Sequence, residues 1–270
     1  MAPRPMQRSR QSRRRWAAVL DWRALVVQFK SMTTPLLDAI TSSLDDTGLF
    51  CRGGFHPRPD DAVPRLPDGG DAGTVILIGN AGGAMWRAFS EAVPDRSKPN
   101  SLDKWLDPLL ERLARHVGAA LILPNQGPEF PPVQDWAMRA EPVFRSPIGI
   151  MIHPDFGLWH VYRAALLFAE RLTLPPRANS ASPCDSCAGR PCLKVCPADA
   201  FGLDRFNAQA CVGHVTSDAG GNCQDRGCLA RRACPVGRDF AYPKDAGAFH
   251  MAAVARAVRT GHGRAQEGEH

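Results

Sequence analysis

No uninterrupted apolar run in this 270-residue chain approaches the roughly 18 residues that a bilayer crossing requires. A membrane-spanning role is therefore not expected. Two familiar phosphate cradles are missing as well: there is neither a G-x-G-x-x-G turn nor a Walker loop. Most of the chain also lacks charge of one sign. The formal charge of +6 and a pI near 9.0 would nominate nucleic acid or an anionic surface as partner. Residues 1–30, however, hold eight basic side chains and one acid, whereas the other 240 residues hold 25 and 26. The body is close to neutral, so neither nucleic acid nor membrane is expected as its partner. What is plentiful is glycine and proline, 24 of each, which predicts many loops. Cysteine is plentiful too, and eight of the nine lie between Cys184 and Cys234.

Residues 1–31 read as a basic, disordered arm. The run Ser12-Arg13-Arg14-Arg15-Trp16 resembles the start of a twin-arginine export signal. Asp21 and Arg23 interrupt the apolar stretch behind it, and no small-x-small cleavage site follows. A cytoplasmic protein is the expectation, export the alternative, and Met32 an alternative start to Met1.

Residues 32–172 alternate between helical and extended signals and predict an α/β front domain within an α+β chain. Helices are expected at 35–44, 84–93, 101–116 and 133–140. The third is the clearest, with Ser101 as N-cap, Gly118 past its end and Pro108 as a kink or break. Strands are expected at 74–79, 119–123 and 148–152, and residues 52–73 read as a connection. Residues 162–172 suit either state. Residues 173–183 have a linker's composition, 184–245 form a loop-rich cysteine module, 246–260 a terminal helix and 261–270 a loose tail.

The module carries Cys184-x2-Cys187-x4-Cys192-x3-Cys196-Pro197 and Cys211-x11-Cys223-x4-Cys228-x5-Cys234-Pro235. Eight thiolates are the complement of two cubane clusters, and closely spaced cysteines let one loop wrap several irons. Two four-cysteine zinc sites, four disulfides, or one cluster with a degenerate second half would use the same residues. The paired Cys-Pro endings favour clusters. The pattern resembles bacterial two-cluster ferredoxins, in which the fourth cysteine of each run ligates the other cluster. That resemblance implies Cys184, Cys187, Cys192 and Cys234 around one [4Fe–4S] cluster, and Cys196, Cys211, Cys223 and Cys228 around the second. The gap of four residues between Cys187 and Cys192 and the stretched second run depart from the standard motif. Cys51 stands alone and reads as a small buried hydrophobe.

In the front domain, Gly79, Gly82 and Gly83 sit between a strand and a helix, where backbone N–H groups suit a phosphate; a tight turn is the plainer reading. The segment from His153 to Arg163 offers His153 and Asp155 as an acid–base pair, or else a strand-ending turn with Phe156 and Trp159 in the core. His153, Pro154, Phe156, Gly157, Trp159 and Arg163 resemble the His-Pro-x-Phe-Gly-Gly-Trp…Arg segment of the cobalamin-processing decyanase family, with Leu158 in place of the second glycine. That resemblance implies a nitroreductase-like fold and a cobalamin or flavin pocket to which Gly79, Gly82, Gly83, His153, Trp159 and Arg163 contribute. A front domain of this kind before a two-cluster module also resembles the epoxyqueuosine reductase family. That family's Gly-Trp-x-Gly-Lys-Asn signature and its general-acid aspartate have no counterpart here, so a different substrate is expected.

The leading expectation is thus an iron–sulfur redox protein, an oxidoreductase served by a redox partner protein, whose clusters pass single electrons to the front domain. A non-enzymatic ferredoxin-like carrier is the alternative, and a zinc-stabilised binding module the third. For the last, 12 basic and 9 acidic residues over 173–270 make too small a surplus.

Overall fold

The computed structural model describes residues 35–127, 130–202 and 206–260. The basic arm, the export motif, the alternative start and the tail lie outside the described residues.

The front half is built on a four-stranded sheet in the order β1-β2-β6-β3, where β1 is Phe50–Phe55, β2 Thr74–Ala81, β3 Ala120–Ile122 and β6 His160–Phe168. Every pairing is antiparallel, so the α+β class holds and the alternation of signals does not translate into parallel βαβ units. β2 and β6 are buried on both faces, which is why they read as continuous apolar runs rather than alternating ones. One face carries Ile76, Ile78, Ala164, Leu166 and Phe168 against helices α1 (Pro35–Ser43), α2 (Ala84–Ala92) and α3 (Ser101–Val117). The other carries Val75, Leu77, Ala165 and Leu167 against α4 (Val133–Ala140), whose Trp136 is fully buried. Burying a side chain of this kind is worth about 1.5–3 kcal/mol, so the two faces anchor the fold.

Three local expectations change. Pro108 does not split α3, which runs unbroken for 17 residues because one face is held to the core by Leu102, Leu106, Leu110 and Leu113. The N-cap is Asn100; Ser101 is already helical and spends its hydroxyl on the Arg96 carbonyl. The supposed connection at 52–73 begins inside β1, whose Arg52, Gly53 and Gly54 conceal the strand signal.

Gly53 has φ +116° beside a bulge, and a Cβ there would lie 2.8 Å from the Ala140 carbonyl oxygen. Its bareness lets the end of α4 press against β1, setting Glu141 next to Arg52. Between α4 and β6, a two-stranded ribbon of β4 (Phe144–Arg145) and β5 (Met151–Ile152) replaces the longer strand expected at 148–152. The residues that join them, 146–150, include a turn closed by the Gly149 N–H on the Ser146 carbonyl at 3.0 Å.

Residues 173–183 are irregular, and Leu174 packs on the sheet's helical core. The cysteine module is a set of short helices: α5 (Pro191–Lys194), α6 (Ala208–Val215), α7 (Gly221–Arg226) and α8 (Leu229–Arg232). The last helix, α9 (Lys244–Arg259), ties the halves together. Its Met251 packs with Val215 and Cys223 of the module, while Ala246 joins the front core. Phe249 lies against Trp86 and Phe89, and Trp86 Nε1 donates to Asp245 at 2.8 Å.

Candidate functional site

The eight clustered cysteines divide into two groups of four. Cys184, Cys187, Cys192 and Cys234 line one concavity of about 390 Å³, open on one side. Cys196, Cys211, Cys223 and Cys228 line a second of about 290 Å³. The division follows from the short helices. Cys192 lies on α5, Cys211 on α6 and Cys223 on α7, while Cys228 precedes α8 and Cys234 follows it closely. Cys196 therefore leaves its own run for the second group, and Cys234 completes the first.

The two walls differ. Ser146, Pro147, Ile152 and Leu158 of the front domain close the first concavity, whereas the second is walled by module residues such as Phe201, His214 and Val215, with Met251 of α9.

None of the nine cysteines is in a disulfide. Among the described residues, no three Cys, His, Asp or Glu side chains converge as tightly as a single metal ion demands. A cubane is larger than an ion, so four thiols spread around a concavity suit it better than tetrahedral zinc, whose Zn–S bonds are about 2.3 Å. Burial pushes the Cys211 thiol up to about 11 and holds Cys184, Cys192, Cys228 and Cys234 above the ordinary thiol range. Thiols in such surroundings bind a metal by releasing protons, and a metal's positive charge would supply the compensation. Backbone donors are in place too: the Ala200 N–H reaches Cys196 Sγ at 3.4 Å. Cys51 is a separate case, packed against the front core with its thiol pushed up to about 12 by burial.

Beyond Ile152 and Leu158 lies a buried polar network. The Arg52 side chain is 0% exposed; it pairs with Glu141 at 2.6 Å and donates to the Asn80 carbonyl and to His160 Nδ1. Its guanidinium lies over the rings of Phe50, Phe156 and Tyr162. The Tyr162 hydroxyl donates to Glu141. Burial raises the Glu141 carboxyl above its ordinary value even though Arg52 pulls the other way.

His153 Nδ1 accepts the backbone N–H of Asp155 at 3.0 Å, which leaves the ring proton on Nε2. That nitrogen lies 3.8 Å from Glu141, and the Asp155 carboxylate stands 3.9 Å from Nδ1, the atom already engaged. The carboxylate opposite the His153 proton is therefore Glu141. Burial and Arg52 press the His153 pKa down to about 3, so the ring is neutral near pH 7.

Of the other front-domain candidates, Gly79 and Arg163 are packed within the front half, and Gly82, Gly83 and Trp159 against the C-terminal half. A Cβ on Gly79 would lie 2.3 Å from the Val161 carbonyl oxygen, and the space beside Gly82 and Gly83 is taken by Phe240 and Pro243. Trp159 lies against Tyr242 under the Arg231 guanidinium, and Arg231 Nε donates to the Leu158 carbonyl at 2.9 Å. Arg163 is the extra residue of a β-bulge in β6 and donates to the Asn80 side chain. Arg52, Glu141, Tyr162 and Ser146 carried no motif. No strand pattern surrounds Arg52 in the sequence to draw attention to it.

No known family model matches the chain, and no curated protein matches it. Among solved structures it is similar to epoxyqueuosine reductase from Streptococcus thermophilus, with 15% identity over 78% of this chain and 68% of that one and a TM-score of 0.47. A structure of epoxyqueuosine reductase from Bacillus subtilis gives 16% identity, 81% and 68% coverage and a TM-score of 0.44. The C. elegans B12-trafficking protein CblC gives 14%, 86% and 97%, and a TM-score of 0.38.

Proposed function

We propose that this chain is an electron-transfer protein that holds two [4Fe–4S] clusters, one in each group of four cysteines. The observation that carries this reading is the sorting of eight thiols into two concavities of four, each closed by apolar residues. Such clusters, when bound, supply reversible one-electron chemistry with potentials set by burial and hydrogen bonds to sulfur. The chain's own part is to fix the thiols, exclude water and set direction. Because Ile152 and Leu158 wall only the first group, electrons would enter at the second and leave through the first. In an oxidoreductase reading, the Arg52–Glu141–Tyr162 network with His153 would place a protonatable carboxyl beside that exit, ready to balance charge for a substrate or for a corrinoid or flavin. A redox partner protein would supply the electrons.

A simple carrier is the second reading, favoured by the filled seam: Phe156, Trp159, Gly82 and Gly83 meet Phe240, Tyr242 and Pro243 rather than open space.

Anaerobically prepared protein should contain about eight irons and eight acid-labile sulfides per chain, with the EPR signals of reduced cubanes. Zinc without iron would overturn the proposal. Titration with hydroxocobalamin and with flavin mononucleotide separates the two readings. A saturable spectral shift favours the enzyme, and none favours the carrier.

A further inference from the structure

The wall of the first cysteine group contains a hydroxyl with nothing to bond to. Ser146 Oγ is sealed from solvent and has no hydrogen-bond partner among the described residues, and Ser146 lines the concavity shared by Cys184, Cys187, Cys192 and Cys234. A serine that opens a turn ordinarily spends its hydroxyl on a backbone group of that turn. Here the turn is closed without it: the Ser146 N–H donates to the Ile150 carbonyl at 3.2 Å, and the Ser146 carbonyl accepts from Gly149. A buried hydroxyl left unpaired forfeits the hydration it had in the unfolded chain. Such a cost points to a partner that the protein atoms do not provide, and the concavity is where one would sit.

The second group offers a comparison within the same chain. Among the described residues its lining has no serine, threonine or tyrosine, and beyond the four thiols the one polar side chain there is His214. The first wall has the Ser146 hydroxyl and also the exposed Arg190.

We propose that Ser146 donates a hydrogen bond to sulfur of the cluster held by the first group and raises the reduction potential of that cluster alone. This rests on the iron–sulfur reading above. The added electron increases negative charge on the sulfur atoms, so a fixed O–H donor stabilises the reduced form more than the oxidised one. No bond is made or broken and no proton moves; the electron comes from whichever reductant serves the second cluster. The direction of flow, from the second group to the first and on toward the front domain, is then set in part by one hydroxyl on the front domain's own turn.

The test is an EPR-monitored potentiometric titration of anaerobic full-length protein, wild type against Ser146→Ala, a one-atom deletion that leaves the turn's backbone bonds in place. One of the two midpoint potentials should fall and the other should stay. A pulsed ENDOR coupling from a proton exchangeable in deuterated water should be present in wild type and lost in the variant. Both potentials unmoved, both shifted together, or the coupling retained in the variant would overturn the inference while eight irons stand. A wild type without iron would overturn the parent reading and this inference together.

Discussion

Removing either partner of the Arg52–Glu141 pair strands a charge in the interior, so Arg52→Met should cost about 3–5 kcal/mol in urea unfolding. Loss below about 1 kcal/mol would mean that water reaches the site. His153 adds a pH dependence of definite sign. Its pKa is held at about 3 against an unfolded value near 6.5, so the unfolded chain binds a proton that the folded chain refuses between those limits. The stability it contributes is complete above about pH 6.5 and drains away as pH falls toward 3, at up to about 1.4 kcal/mol per pH unit. Unfolding free energies at pH 7 and pH 5 should therefore differ less in His153→Gln than in wild type. Equal slopes would show that the ring is protonated in the folded state. Asp155 was named beside His153 beforehand, but Glu141 and Arg52 were not. Glu141 and Arg52 are 89 residues apart in sequence and meet because Gly53 has no side chain.

Among the elements, α3 tolerates a proline at its exposed face only because packing outweighs the missing N–H. Pro108→Ala should restore a bond to the Lys104 carbonyl and raise stability by about 1–3 kcal/mol, read from the denaturation midpoint. A lower midpoint would mean that the ring itself packs against something. α3 was legible because its apolar positions recur every three or four residues over 17 residues, a pattern that survives one bad residue. β1 was not, since two glycines and an arginine in six residues erase the signature of a strand whose other face is already covered. β6 was ambiguous for the opposite reason: buried on both faces, it shows no alternation. The cysteines were legible as a set because thiols so dense have few other uses.

For the molecule as a whole, the decisive contact is the seam where two bare backbones touch. Gly157 has φ +57° and would place a Cβ 2.0 Å from the Val236 carbonyl oxygen; Gly237, at φ +67°, would meet Phe156 at 2.3 Å. Gly157→Ala should cost about 3 kcal/mol or more and part the module from the sheet. Limited proteolysis would then cut within residues 173–183 faster than in wild type, and an unchanged rate would show that α9 alone holds the halves together. Leu158 fills the wall of the first concavity, 1% exposed. That residue ties the front domain to the thiols more closely than the motif alone suggested.

The exchange of Cys196 and Cys234 between the two runs has a consequence for how the protein is made. Cys196, Cys211, Cys223 and Cys228 are consecutive cysteines nested inside the first group, whose own four are completed only by Cys234, the last of the eight to leave the ribosome. On the proposed iron–sulfur reading, the second group is therefore complete before the first, whose closing waits for Cys234. On that reading Cys196→Ala, which spares all four thiols of the first group, should keep about half of the wild-type iron, and a fall well below half would show that the two groups load together.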